Sequence, residues 1–237
     1  MISGKSFSER CKWVVDPRYP SRIPFRYAEA QHGDWVFVNG DYLRSFLTSI
    51  PFRSTKRFVV VIHNTDRSFG QPELDALRPY ILHVYAINTT IQHPRVTPIP
   101  LGFVDRQLPF LETFQPSSED RPYEVYVNFT AGTNAPKRNA CLHAIQHDPR
   151  VVVRTGLSVP EYYADLCKSK FVLCPEGTGI DTHRVYEALF CGATPVVLRN
   201  ALAPLYETLP VCIVDAWTDP FQVPPFKEVT WSVSNFL

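Results

Sequence analysis

FVLCPEGTGIDTHRVYEALFCGATPVVL, residues 171–198, sets the reading of the whole chain. An unbroken apolar run ends at Pro175. A loop carrying Gly177, Thr178 and Gly179 follows, then a segment of helical period starting near Asp181 or Thr182. Gly192 stands where a helix C′ residue belongs, and a second apolar run, TPVVL, comes directly after. Strand, loop, helix, strand is the repeating unit of a parallel sheet. Runs that are apolar throughout suit strands covered on both faces. The loop leaves the carboxyl end of a strand, where open α/β sheets bind ligands, and the helix N-terminus behind it offers unpaired N–H groups to an anion.

The same alternation extends in both directions. Downstream lie a short helical segment and VCIVD (211–215). Upstream lie YEVYVNF (123–129), a helix from about Pro136 to His147, RVVVR (150–154) and a helix over 159–168, where Ser158 and Glu161 form a capping-box pattern. The first half reads alike: WVFVN (35–39), helical DYLRSFLTSI, RFVVVIH (57–63), helical ELDALRPYI, LHVYAIN and a strand-like RVTPIPLGF (95–103). Residues 1–33 read as polar and irregular. FLETFQPSSEDRP (110–122), with its prolines, serines and acids, reads as a linker. The expected fold class is therefore α/β with two Rossmann-like domains, 1–115 and 116–237.

Three clusters carry candidate chemistry. His183 and Glu187 stand four residues apart on one helix face, with Arg184 beside them. A carboxylate there accepts two hydrogen bonds from a ribose diol, while Arg184 or His183 reaches a phosphate. The plainer alternative is an exposed helix pair, and the glycine loop in front argues against it. In NFTAGTNAPKRNACLHAI (128–145), Lys137 and Arg138 occupy a first helical turn, where the macrodipole disfavours cations. An anion at that end resolves the conflict, and Arg138 has the fork for a diphosphate. A solvated basic patch is the competing reading. In the first half, VVVIHNTD (59–66) puts His63 and Asp66 at the carboxyl end of a strand. Either is a candidate general base toward a hydroxyl, against structural roles for both; Asp41 and Asp105 are weaker candidates.

Composition excludes several classes. A net charge of +1 offers no electrostatic footprint for nucleic acid. No run of about 18 apolar residues marks a membrane span, and the N-terminus lacks the apolar core of a signal peptide. No G-x-x-x-x-G-K-[ST], G-x-S-x-G or H-E-x-x-H motif occurs, and without C-x-x-C spacing the six cysteines read as buried thiols. No D-x-D pair is present to bridge a diphosphate through a metal, which leaves cations and a helix N-terminus for that task. Trp35, Tyr42, Phe69 and Trp217 are aromatics that suit sugar stacking, although packing explains each equally well.

Residues 169–198 together with LYETLPVCIVDAW (205–217) resemble the donor-binding half of exostosin-like glycosyltransferases (GT47-like, GT-B type). The shared pattern is P-x-G-x-G-x-D, then H-R, then E-A-L-x-x-G-x-x-P-V-V. The likeness thins toward Pro122, and Glu176 stands where that family more often has a basic residue. The resemblance implies two Rossmann-like domains facing each other across a cleft, an acceptor side in 1–115 and a nucleotide-sugar side in 116–237. It implies a hexosyl- or pentosyltransferase of glycan biosynthesis, moving sugar from a UDP-sugar to a hydroxyl of a glycan acceptor, inverting and without a metal. Position by position, Glu187 would hold the ribose, His183 and Arg184 would line the diphosphate pocket with Arg138, and Pro175–Asp181 would wrap the donor. Two other functions stay open at this stage. A non-catalytic nucleotide-sugar-binding partner would need no base at Asp66 or His63. A sugar-nucleotide epimerase would act on donor alone. The chain reads as cytoplasmic as it stands, or Golgi-lumenal if cut from a longer membrane-anchored parent.

Overall fold

The computed structural model describes residues 1–117, 120–225, 227, 229 and 231–237. It is an α/β protein with two five-stranded sheets, all of whose pairings are parallel. The chain divides into two compact units, Met1–Asp105 with Trp231–Leu237, and Arg106–Thr230. This is compatible with a Rossmann-like arrangement in each.

In the first unit the strands β1 (Trp13–Val15), β2 (Trp35–Asn39), β3 (Phe58–His63), β4 (Ile81–Ala86) and β5 (Val96–Pro98) lie side by side in chain order. Successive residues of a strand face opposite ways. Val36, Val38, Val60 and Ile62 therefore enter one core, with Phe46 of α2 (Leu43–Thr48) and Leu74 and Leu77 of α3 (Gln71–Leu77). Phe37 and Val61 enter the other. Because crossovers between parallel strands share one hand, strands laid in chain order send their helices to a single face. The second face needs another cover. It is supplied by Phe7 of α1 (Gly4–Glu9) and by the returning C-terminal segment, with Val233 buried and Trp231 packed on Phe103 at 5.1 Å.

Residues 1–33 are thus not the irregular stretch expected: they hold α1 and β1, and Ile2, Phe7, Cys11, Trp13 and Val14 are all buried. A six-residue helix and a three-residue strand are too short to show a period. The expected linker 110–122 also differs. Its first residues belong to α4 (Leu108–Thr113), where Leu111 is buried and Phe110 and Phe114 set their rings 5.3 and 5.6 Å from Tyr163. These aromatics attach α4 to the second unit, so the units divide at Asp105/Arg106 rather than at 115/116. The serine and acid at 118–119 lie outside the described residues.

The second unit contains β6 (Tyr123–Val127), β7 (Val151–Val153), β8 (Ser169–Leu173), β9 (Thr194–Leu198) and β10 (Cys212–Val214), in the spatial order β7-β6-β8-β9-β10. Helix α5 (Ala135–Ile145) packs Cys141 and Ile145 on one face, against Val125, Val127, Leu173 and Val196. On the opposite face, Tyr126 donates its hydroxyl proton to Asp165 of α6 (Val159–Cys167) at 3.1 Å, and α7 (His183–Phe190) packs beside α6. The capping box at Ser158 and Glu161 forms, and Gly192 takes φ +71°, left-handed as a C′ residue requires. All six cysteines are buried thiols.

Candidate functional site

The order β7-β6-β8 reverses direction between β6 and β8. Helices from these two neighbouring strands leave toward opposite faces and open a crevice beyond their carboxyl ends, the place where open α/β sheets bind ligands. The loops 128–134 and 174–182 meet there. Asn134, the N-cap of α5, donates from Nδ2 to the carbonyl of Gly177 at 2.8 Å. Arg138 donates from Nη1 to the carbonyl of Thr130 at 2.6 Å and from Nε to that of Glu176 at 3.1 Å. A Cβ on Gly177 would lie 3.0 Å from Arg138 Nη2, so glycine at this position admits the guanidinium.

Arg184, in the first turn of α7, comes to the same spot from the other side. The guanidinium carbons of Arg138 and Arg184 stand 5.4 and 5.7 Å from the centre of the Phe129 ring. Burial, and then the nearby charge of Arg184, lower the pKa of Arg138. Burial also opposes the charge on Arg184, but Tyr162, Cys174 and Glu187 outweigh it and hold its pKa up. Two guanidinium groups on one ring, both near a helix N-terminus, make an anion-seeking arrangement. Buried polar atoms nearly always have partners. Two buried atoms here, Arg184 Nε and Thr182 Oγ1, have none among the described residues, and both stand at the start of α7.

Glu187 is buried one turn further along α7 and accepts from the Tyr162 hydroxyl at 2.8 Å. Burial and the Glu187 carboxylate together raise the Tyr162 pKa. Tyr162, like Phe129, is a contributor to this cluster that no sequence motif marks. Only its place in α6, ahead of a buried helix face, could have suggested it.

Other expected residues have more structural positions. The Asp181 carboxylate accepts from Tyr186 at 2.5 Å, Tyr206 at 2.9 Å and the Thr182 N–H at 2.8 Å, which ties the loop to α7 and to α8 (Ala203–Tyr206). Lys137 forms an ion pair with Glu176, so an anion at that helix start is supplied by the chain itself. Gly179 is buried, Thr178 is exposed, and His183 is half-buried.

In the first unit, His63 and Asp66 separate in character. His63 is 1% exposed, lies between the rings of Phe7 and Phe37, and engages both nitrogens, one with the Asn64 N–H at 2.8 Å and one with the Pro100 carbonyl at 3.3 Å. Asp66 is exposed. Between them Asn64 takes φ +61° and donates to Asp16 and to Tyr19, while Tyr19 donates to Asp105 at 2.6 Å. Asp41 accepts from Thr65 at 2.8 Å and pairs with Arg67.

Among the described residues no three His, Cys, Asp or Glu side chains gather as a set of metal ligands, and no helix is long and apolar enough to cross a membrane.

Residues 118–219 match the family model described as the RXYLT1 C-terminal domain. The chain is also similar to two probable glycosyltransferases of Arabidopsis thaliana. One is 28% identical over 214 residues, covering 84% of this chain and 44% of the relative. The other is 32% identical over 94 residues, covering 39% of this chain and 18% of the relative. The chain thus spans less than half the length of these relatives. Together the similarities support a glycosyltransferase family, and the matched stretch lies within the unit that carries the paired arginines.

Proposed function

We propose that the protein is a glycosyltransferase of the GT-B type, with its donor side in Arg106–Thr230 and its acceptor side in the first unit. It moves a hexosyl or pentosyl group from a UDP-sugar to a hydroxyl of a glycan acceptor, without a metal. The observation that carries the reading is the meeting of Arg138 and Arg184 over Phe129, with Arg184 Nε and Thr182 Oγ1 unpartnered beside them.

A diphosphate placed there receives hydrogen bonds from both guanidinium groups, the Thr182 hydroxyl and the α7 N-terminus. Charge released on the leaving nucleotide is then stabilised by groups already fixed in place. Glu187 is held by Tyr162 and takes the ribose hydroxyls. Deprotonation of the acceptor falls to Asp66, because His63 is enclosed with both nitrogens engaged. The acceptor oxygen attacks the anomeric carbon opposite the leaving diphosphate, which inverts the configuration. In a longer parent carrying an anchor, the same unit would work in the Golgi lumen.

Calorimetry with a panel of UDP- and GDP-sugars, with and without EDTA, tests the central step. The expected result is binding of a UDP-sugar that EDTA leaves unchanged and that Glu187→Ala abolishes. If no nucleotide sugar binds at any accessible concentration, the assignment falls.

A further inference from the structure

Beside the paired arginines lies a cavity of about 400 Å³, within the size range of small-molecule sites. Its walls come from α5, the end of β8 with the loop after it, the end of β9, α8 and the segment after β10, and they are largely apolar: Ala140, Ile180, Val197, Tyr206 and Trp217. Neither Glu187 nor Tyr162 lines it. The cavity and the ribose carboxylate therefore stand apart, and a ligand whose diphosphate lies on Arg138 and Arg184 has room at two ends.

Glu176 joins the two places. Its carbonyl oxygen accepts from Arg138, and its side chain, 13% exposed, lines the cavity. The carboxylate is fixed by Lys137 on one oxygen and by Asn200 Nδ2, at 3.2 Å, on the other. A carboxylate held in an apolar wall accepts from hydroxyl groups and repels other carboxylates, a juxtaposition that is costly where water is scarce.

The cations nearby do not reverse this. Lys137 and Arg199 also line the cavity, but three carboxylates answer these two cations: Glu176 pairs with Lys137, and Asp215 at 2.9 Å and Glu207 at 3.8 Å pair with Arg199, so the set keeps an excess of negative charge. An acidic ligand entering the cavity would have to break one of these pairs and face Glu176. A neutral ring bearing hydroxyls meets apolar and aromatic walls with its C–H faces and an acceptor with its edge.

We infer that this cavity receives the sugar ring of the donor and that Glu176 restricts it to uncharged sugars. The inference rests on the nucleotide-sugar reading above. It is tested by calorimetry of the full chain with UDP, with the neutral UDP-glucose, UDP-galactose and UDP-xylose, and with UDP-glucuronate and UDP-galacturonate. The best neutral UDP-sugar is expected to bind at least about tenfold tighter than either uronate, a difference of about 1.4 kcal/mol. Glu176→Gln keeps the shape and the bond from Asn200; it should narrow that gap, measured between sugars within the variant, to about threefold or less. Glu176→Ala should narrow it as well, without relying on the isosteric variant.

Equal binding of neutral and acidic sugars by the wild type overturns the inference and leaves the nucleotide-sugar reading standing. A loss of UDP affinity in Glu176→Gln as large as the loss for the UDP-sugar means that the cavity holds the base, and overturns it too. Absence of UDP binding in the wild type overturns both.

Discussion

The first sheet runs in chain order from β1 to β5, whereas the second doubles back, with β7 on one side of β6 and β8 on the other. Both are five-stranded, parallel and buried on two faces, so neither composition nor strand count tells them apart. Order does. A sheet laid in chain order has no pair of neighbouring strands whose helices leave toward opposite faces, so it opens no crevice at its carboxyl edge. In the first unit the groups at the end of β3 turn inward on one another, through Asn64, Asp16, Tyr19 and Asp105. In the second unit the reversal brings the β6 and β8 loops together and leaves Arg184 Nε and Thr182 Oγ1 without partners among the described residues. Under the proposed function the labour divides along the same line, the second unit binding the donor and the first contributing Asp66 at its surface.

The sharpest way to break this division is Asp66→Asn. If the first unit supplies the base and the second the donor site, turnover falls by about 10²–10⁴ while UDP-sugar affinity stays within about twofold. Steady-state kinetics alongside calorimetry separates the two quantities. A loss of affinity matching the loss of rate would mean that Asp66 belongs to the donor site. Next in size is Arg184→Ala, which removes a charged donor from the proposed diphosphate site. Loss of about 1.5–3 kcal/mol, or roughly 10–150-fold in donor affinity, is expected by calorimetry. Arg18→Ala in the first unit, which removes one partner of Asp16 and a donor to the Asn64 carbonyl, should leave that affinity unchanged.

Gly192→Ala tests the second unit's architecture instead of its chemistry. The residue has φ +71°, and an added Cβ would come 2.7 Å from Nη2 of Arg121, which donates to the carbonyls of Ser169 and Cys191. Strain at a left-handed position, added to displacement of that guanidinium, should cost about 1–3 kcal/mol. Amide hydrogen exchange should show the loss in β8, α7 and β9 and leave β2 and β3 protected as before. Equal deprotection of both sheets would mean that the two units do not hold their stability separately.

Most strands were legible because an unbroken apolar run has few alternatives. WVFVN and TPVVL mark β2 and β9 to the residue. What stayed hidden was set by tertiary contact. β1 is three residues long and finds its place by tertiary pairing, with β2 on one side and residues 23–25 on the other, and α4 hides behind prolines and serines because its apolar residues serve Tyr163, about fifty residues on. The site divided in the same way. The glycine loop and the spacing from His183 to Glu187 follow from local sequence. The meeting of Arg138 with Arg184, the Glu176 ion pair and the bond from Tyr162 depend on strand order, which no local pattern encodes.

The smallest expected effect concerns how each unit responds to acid. In the first unit Asp34 accepts from the Gln31 N–H, Trp13 Nε1 and Lys12 Nζ, at 2.9, 2.7 and 2.9 Å, and so links β1 to the start of β2. Slight burial opposes its charge, but these three donors outweigh it and lower its pKa. A carboxyl depressed in the folded state contributes stability that is present above its unfolded pKa and is lost as pH falls through the folded one. In the second unit the lowered carboxyls of Asp148 and Glu161 answer mainly to residues two or three positions away, Arg150 and Ser158. Their protonation frays a turn and a helix cap without parting two strands. Below about pH 4 the β1–β2 amides should therefore exchange faster before those of β6–β8 do. Asp34→Asn should abolish that acid-dependent lead, because Asn retains an acceptor but has no proton to take up. If β1 and β2 keep the same pH dependence in the variant, the acid-sensitive contact of the first unit lies elsewhere.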